Sequence, residues 1–246
     1  MIDIRFVKIS KKLKCEVYNV FEDEKIIGRF YAYDNPFHNN NKYINPTTKT
    51  FKELNKKKYF DAIKKYFGKP LQLTCHFRYK KVIQIIKDLG FVLKRTTSIC
   101  KYLKEDILNL EIEPVKFVLC SKGNKEYDEA IGLSYQHYLD THVSVNAFTG
   151  TKEDFIKELP EDAICEFKDG SLVNTLFFDE WLDCICYFGS KDNNTFKPFL
   201  YSAIKYLFSR LEAIEIEVDS TDPLALEVES LFKEKYKDID LTFIFK

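Results

Sequence analysis

The stretch at residues 71–103, LQLTCHFRYKKVIQIIKDLGFVLKRTTSICKYL, constrains the fold more than any other part of the chain. Leu71, Leu73 and Cys75 alternate with Gln72 and Thr74, the period of a strand with one apolar face. From Tyr79 the period changes. Tyr79, Val82, Ile83, Ile86 and Leu89 fall on one side of a helix, and Lys80, Lys81, Lys87 and Asp88 on the other. Gly90 supplies the stop, because glycine enters the left-handed conformation at a helix C-terminus without a Cβ penalty. Phe91 and Leu93 restore alternation, and Ile99 and Tyr102 close the unit. Strand, amphipathic helix, glycine turn and strand commit the chain to an α/β architecture.

Upstream, residues 2–9, 15–21 and 25–33 alternate in polarity. They are separated by Ser10-Lys11-Lys12 and Glu22-Asp23-Glu24, connections of hairpin length, so an antiparallel meander is expected. The Asn- and Pro-rich run that follows reads as irregular backbone. A helix is predicted over 51–67, with Tyr59, Ala62, Ile63, Tyr66 and Phe67 on one face and Gly68 and Pro70 stopping it.

Downstream, Pro114 precedes a fresh apolar run at 115–120, a candidate start for a second domain. Helical spacing at Tyr127, Ala130, Ile131, Ser134, Tyr135 and Tyr138 predicts a helix over 127–139. Thr151 and Asp154 have the form of a capping box, which begins a short helix through Leu159. Strands are expected at 163–167, 172–178 and 182–188, with Lys168-Asp169-Gly170-Ser171 as a hairpin turn. Phe199, Leu200, Ala203, Ile204, Leu207, Phe208 and Leu211 mark an amphipathic helix with Pro198 in its first turn. Residues 213–218 alternate as a strand, Asp222-Pro223 starts another helix, and 239–245 alternate as a final strand.

The chain of 246 residues is long enough for two domains, each with its own core. Lys plus Arg number 38 and Asp plus Glu 38, so no net field favours nucleic acid or an anionic membrane. Lys56-Lys57-Lys58 then reads as solvated helix surface. The amino end is charged almost at once, and no apolar run approaches the roughly 20 residues of a spanning helix. The 7 cysteines, an odd number, suit a reducing cytoplasm better than a disulfide framework.

The order strand, helix, Leu89-Gly90-Phe91, strand resembles the closing segment of the GNAT fold, the acyl-CoA N-acyltransferase superfamily. Cys75, Tyr79, Val82 and Leu89-Gly90-Phe91 hold the places of the family's Val, Asn, Ala and Leu-Gly-Phe. Val218, Asp222 and Ala225 hold the same places again, and Phe232-Lys233-Glu234 departs from Leu-Gly-Phe. Two matches in the same relative position imply an internal duplication. The expected architecture is a truncated GNAT-like domain over 1–108, without the family's first helical pair, and a complete one over 109–246. Each would be a mixed central sheet flanked by helices. One α/β domain preceded by a β-rich module of different origin is the alternative.

The resemblance implies acetyl-CoA as co-substrate, its pyrophosphate held by a glycine-rich loop between the fourth strand and the third helix. Neither half has the glycines. In the first, Ile44-Asn45-Pro46 resembles the segment before the loop, but KTFKEL follows. In the second, Phe188, Gly189, Ser190, Lys191, Asn194, Thr195, Phe196 and Lys197 hold the loop's place. Asn194 or Thr195 would cap the helix, amides from Thr195 to Lys197 would face the anion, and Lys191 and Lys197 would supply charge. The tyrosine that protonates the departing thiolate in the family is replaced by Ile86 and Glu229.

Replacement acid and base groups are Asp183 and Tyr187 on strand 182–188 and Glu217, beside Glu215, on strand 213–218. A parallel strand buried on both faces is apolar throughout, so these glutamates predict one wet face, a substrate cleft or a solvated surface. His137 and His142 fall where the family shapes its acceptor pocket; His142, Ser144 and Asn146 either orient an amine or lie in an exposed loop. Cys184 and Cys186 share a strand face and, lacking further ligands nearby, read as core thiols rather than a zinc site. His38 sits in a polar loop.

The resemblance therefore implies a cytoplasmic N-acyltransferase, an acetyltransferase, acting on a small amine or amino-terminal acceptor, with its cleft in the second domain. No nucleic-acid or membrane partner and no metal are expected. The alternative is a non-catalytic GNAT-like module that binds a ligand or a protein, as the missing glycines and tyrosine allow. Aminoacyl-tRNA-dependent transfer would need a basic channel that the charge balance does not advertise.

Overall fold

Asp23 and Glu24 both take positive φ, 49° and 64°, as a two-residue type I′ turn requires. They fold β2 (Cys15–Glu22) back onto β3 (Lys25–Tyr33), and β1 (Ile2–Ser10) pairs antiparallel with β2. In the computed structural model, which describes residues 1–45 and 47–246, this expected meander gains a fourth strand, β4 (Lys42–Asn45), antiparallel to β3. Pro46 of the Ile44-Asn45-Pro46 resemblance lies outside the described residues.

The single helix expected over 51–67 is two helices, α1 (Thr48–Glu53) and α2 (Lys57–Phe67). Thr47 caps α1 by accepting from the Thr50 amide at 3.1 Å, and Leu54 leaves helical backbone with its side chain buried. β5 (Leu71–His76) and α3 (Lys80–Asp88) follow, and Gly90 takes φ 95°, the left-handed stop expected of it. β6 (Val92–Leu103) completes the organising stretch.

The second half contributes β7 (Val118–Ser121), α4 (Lys125–Asn146) and α5 (Lys152–Lys157). α4 runs beyond the expected 127–139, so His142, Ser144 and Asn146 are helical and not in a loop. The Thr151–Asp154 capping box forms, its two backbone bonds measuring 3.1 and 3.2 Å. Then come β8 (Asp162–Lys168), β9 (Ser171–Asp179), β10 (Cys184–Ser190), α6 (Asn193–Leu207), β11 (Ala213–Asp219), α7 (Pro223–Glu229) and β12 (Asp238–Phe245). α6 starts at Asn193 because Asp192 caps it; Pro198 is inside the helix and not in its first turn.

The chain forms two compact units, residues 1–96, 144–149 and 239–246, and residues 97–143 and 150–238. In the first the strand order is β1-β2-β3-β4-β5-β12, in the second β7-β8-β9-β10-β11-β6. The pairing senses are the same: three antiparallel steps, one parallel step (β4 with β5, β10 with β11), and a closing antiparallel strand. The closing strands are exchanged. β12, last in sequence, pairs with β5, and residues 97–103 of β6 pair with β11. The units therefore do not follow the expected division into 1–108 and 109–246.

Each unit has its own core. Val20, Phe30, Phe60, Ile63, Phe243 and Phe245 are buried in the first, and Phe196, Phe199, Leu200, Ile214, Val228 and Leu231 in the second. A side chain of this size contributes about 1.5–3 kcal/mol when fully buried.

Candidate active site

In the second unit the parallel pair β10 and β11 stays in register only at Cys184 with Glu215 and Ile185 with Ile216. Beyond these positions β10 continues to Ser190 and β11 to Asp219 without pairing, so the two strands open as a wedge. The cause is on the other edge of β10. Against β9 the register slips between Ile185 and Tyr187, a β-bulge that bends the strand and leaves Cys186 as the extra residue.

The bulge also decides which way Tyr187 points. Ile185 pairs with Phe178 and Tyr187 with Phe177, and adjacent residues of β9 point to opposite faces. Tyr187 is thereby placed on the face that carries Glu215 and Glu217, both exposed. An unbulged strand would put Tyr187 with Ile185, in the core beneath α6. Glu217 is close enough for its charge to act on the phenol: burial first, then the neighbouring Cys186, Glu158 and Glu217, push the Tyr187 pKa up to about 12. At neutral pH Tyr187 is a hydrogen-bond donor.

Aromatic rings wall this face. Tyr187 lies 5.1 Å from Phe155 of α5 and 5.9 Å from Tyr138 of α4, and those two rings are 5.3 Å apart. Gly189 lets α4 approach: a Cβ there would stand 2.8 Å from Leu133 Cγ and 2.9 Å from Ser134 N. At the open end of the wedge Asp222 caps α7, its Oδ1 accepting from the amides of Leu224 (2.9 Å) and Ala225 (3.2 Å). The same oxygen lies 2.9 Å from His137 Nε2, a half-buried pair that the sequence reading did not connect. Its only sequence signal was Asp222 in the place of the family's Asn.

The remaining expected residues are scattered. Asp183 sits at the closed end of the wedge, where its carbonyl accepts from Glu215 N at 2.7 Å and its carboxylate lies 3.5 Å from Lys101 Nζ. Cys184 and Cys186 have Sγ atoms 3.3 Å apart, and burial pushes both thiols up. Among the described residues no group of three or more His, Cys, Asp or Glu is placed to hold a metal ion. Glu229 accepts from Ser98 Oγ at 3.1 Å and pairs with Lys237 at 2.7 Å. It lines an open pocket of about 290 Å³ at the end of α7, with Tyr102, Phe232 and Lys237. Ile86 is fully buried.

The residues in the place of the pyrophosphate loop do not fit a pyrophosphate. Phe188 and Phe196 are core side chains, 6.1 Å apart ring to ring, the second fully buried. Asp192 Oδ1 accepts from the amide of Asn194 and from its side-chain nitrogen, each at 3.0 Å, and Asp192 O accepts from the amide of Thr195. A carboxylate thus stands where the anion would sit. Ser190 Oγ donates to Asn174 Oδ1 at 2.6 Å, and Thr195 Oγ1 takes a bond from Asn174 Nδ2 at 3.0 Å. The Lys191 amide is bound to Val173 O, and Lys197 Nζ turns to Ser230 Oγ (2.9 Å) and Glu227 (3.3 Å).

The first unit has the same opening and closes it internally. β4 and β5 pair only at Lys42 with Leu71 and Tyr43 with Gln72. There Asn146 Nδ2 donates to Gln72 Oε1 (3.2 Å), Tyr43 Oη (3.1 Å) and His38 O (2.7 Å), and Asn41 Nδ2 donates to Gln72 Oε1 at 2.9 Å. Asn146, expected to orient an amine, instead plugs this opening.

The chain has the GNAT fold. Solved structures share it across nearly the whole chain. A GCN5-related N-acetyltransferase from Sphaerobacter thermophilus superposes with TM-score 0.55 at 10% identity, covering 93% of this chain and 80% of that one. One from Kribbella flavida gives 0.50 at 12% identity, over 98% and 88%. A functionally unknown conserved protein from Staphylococcus epidermidis ATCC 12228 gives 0.51 at 13% identity, over 92% of each chain. No protein-family model matches the sequence, and no curated protein matches it. Among the described residues no helix is long and apolar enough to cross a membrane.

Proposed function

We propose that the protein is an N-acyltransferase whose second unit takes an acyl thioester in the β10–β11 wedge and passes the acyl group to a small amine. The first unit is then a degenerate copy in a tandem of two GNAT-like domains. The observation that carries this is the bulge that sets Tyr187 on the same open face of the wedge as Glu217.

A thioester supplies an acyl carbon open to attack by an amine; the chain must present that amine unprotonated. Carboxylates at Glu158 and Glu217 next to the rings of Tyr138, Phe155 and Tyr187 suit an ammonium ion, which charge and aromatic faces both attract. Glu217, directly or through water, takes its proton, and the Tyr187 hydroxyl orients the acceptor; the amine nitrogen bonds the acyl carbon, the C–S bond breaks, and the departing thiolate takes the proton that the attacking nitrogen loses. Acetyl-CoA is the donor the fold suggests, and its pantetheine portion is what the wedge suits.

Release of free thiol from acetyl-CoA and from S-acetyl-pantetheine, measured with a panel of primary amines, tests this. Amine-dependent release is expected, lowered about 100-fold or more by Glu217→Gln. No release above background from either thioester with any amine overturns the enzyme reading. The second reading, a GNAT-like module that binds without reacting, is favoured by Glu229, tied to Lys237, where the family has its tyrosine.

A further inference from the structure

Two carboxylates stand at the donor end of the wedge. Asp192 is exposed and occupies the N-terminus of α6, on the Asn194 amide. Glu166, only 3% exposed, lies behind the loop, its Oε2 2.5 Å from Asn174 Nδ2 and its Oε1 3.5 Å from Lys168. Asn174 is fully buried and links the two: its amide reaches Glu166 and Thr195 Oγ1, and its carbonyl takes the hydrogen of Ser190, whose Oγ accepts from the Asp192 amide at 3.2 Å. The loop is held in one shape by a polar network with an acid at each end.

A helix N-terminus attracts an anion through its unpaired amides and dipole. Here a charge of the anion's own sign has taken that place, Lys197 on the helix is paired with Glu227, and the exposed Lys191 next to Asp192 offsets a single charge. A pyrophosphate would have to displace Asp192 and approach Glu166.

Resting on the acyltransferase reading, we propose that Asp192 and the Asn174–Glu166 brace make the wedge selective for acyl thioesters whose pantetheine arm bears no nucleotide pyrophosphate. Such an arm is either a free pantetheine thioester or one mounted on a carrier protein. Both present the same amide-rich chain and thioester to the strand edges.

Binding to the full-length protein by calorimetry tests this with three probes: acetyl-CoA, S-acetyl-pantetheine and an acetylated holo-acyl carrier protein. The wild type is expected to bind S-acetyl-pantetheine at least as tightly as acetyl-CoA. Asp192→Ser and Asp192→Asn keep a helix cap and remove the charge. Each is expected to tighten acetyl-CoA about tenfold, the scale of one charge pair near 4 Å at a wet surface, and to leave S-acetyl-pantetheine unchanged. Carrier protein binding tighter than S-acetyl-pantetheine identifies the carrier as the source, and equal binding the free thioester. Acetyl-CoA bound tenfold more tightly than S-acetyl-pantetheine by the wild type, or unaffected by both variants, overturns the proposal and leaves the acyltransferase reading standing. No binding of any thioester to any variant overturns both.

Discussion

Gly189 and His38 show how single residues serve packing, the first where a cofactor loop was expected and the second in a polar loop. Gly189 lies in the place of a phosphate loop, but what it provides is the close contact between β10 and α4. The predicted Cβ clash is with backbone atoms as well as a side chain, so the helix itself must move. Gly189→Ala is expected to destabilise the protein by about 1–3 kcal/mol and to shift the helix that carries His137 and Tyr138. Urea unfolding measures this, and an unchanged midpoint would count against the contact. His38 is half-buried with Nδ1 2.7 Å from Asn146 O, and burial, with a smaller push from Arg95, holds its pKa below the usual 6.5. The folded state then holds fewer protons than the unfolded state once the pH falls below about 6.5, so the stabilisation is present above that value and is lost on acidification. His38→Gln is expected to flatten the fall in melting temperature between about pH 7.5 and 5.5; an equal fall in both proteins would exclude His38 as its source.

At the scale of elements, local signals sit at helix starts, and α7 shows how much one carries. Asp222 caps two amides and holds His137 with a single oxygen. Asp222→Ala is expected to cost about 1–2 kcal/mol, whereas Asp222→Ser keeps the cap and most of the stability while losing the histidine. Thermal melts of both variants check the pair, and equal losses would show that the His137 contact, not the cap, dominates. Asp222-Pro223, the Thr151–Asp154 box and the Gly90 stop were legible in the sequence because each acts through its own neighbours. Pro198, a familiar first-turn residue, points to a later start of α6, and Asp192 six residues earlier outcompetes it. The bulge at Cys186 has no local signature at all. It arises from pairing with β9, and with it goes the orientation of Tyr187, the feature on which the candidate site depends.

On the scale of the whole molecule, the period of β6 and β12 was readable and their partners were not, since pairing is set by distant residues. Each unit takes its closing strand from the other half of the sequence, so Leu71 pairs with Phe245 and Ala213 with Leu103. Such pairings close long loops before they gain contacts, which slows folding and leaves strand edges exposed meanwhile. A fragment of residues 1–108 lacks Phe243, Ile244 and Phe245, each no more than 2% exposed, and leaves the edge of β5 bare. A fragment of residues 109–246 lacks Cys100 and Tyr102, buried beside Phe232, whose ring stacks on Tyr102 at 4.0 Å. Losing one large core side chain costs about 3–5 kcal/mol, a large part of the roughly 5–15 kcal/mol that holds a domain together. Neither fragment alone is therefore expected to unfold cooperatively on heating, and refolding the two together is expected to restore a cooperative transition. A sharp, reversible melt of the isolated 1–108 fragment would show that β12 is dispensable to the first unit, and the exchange of closing strands would then be incidental to its stability.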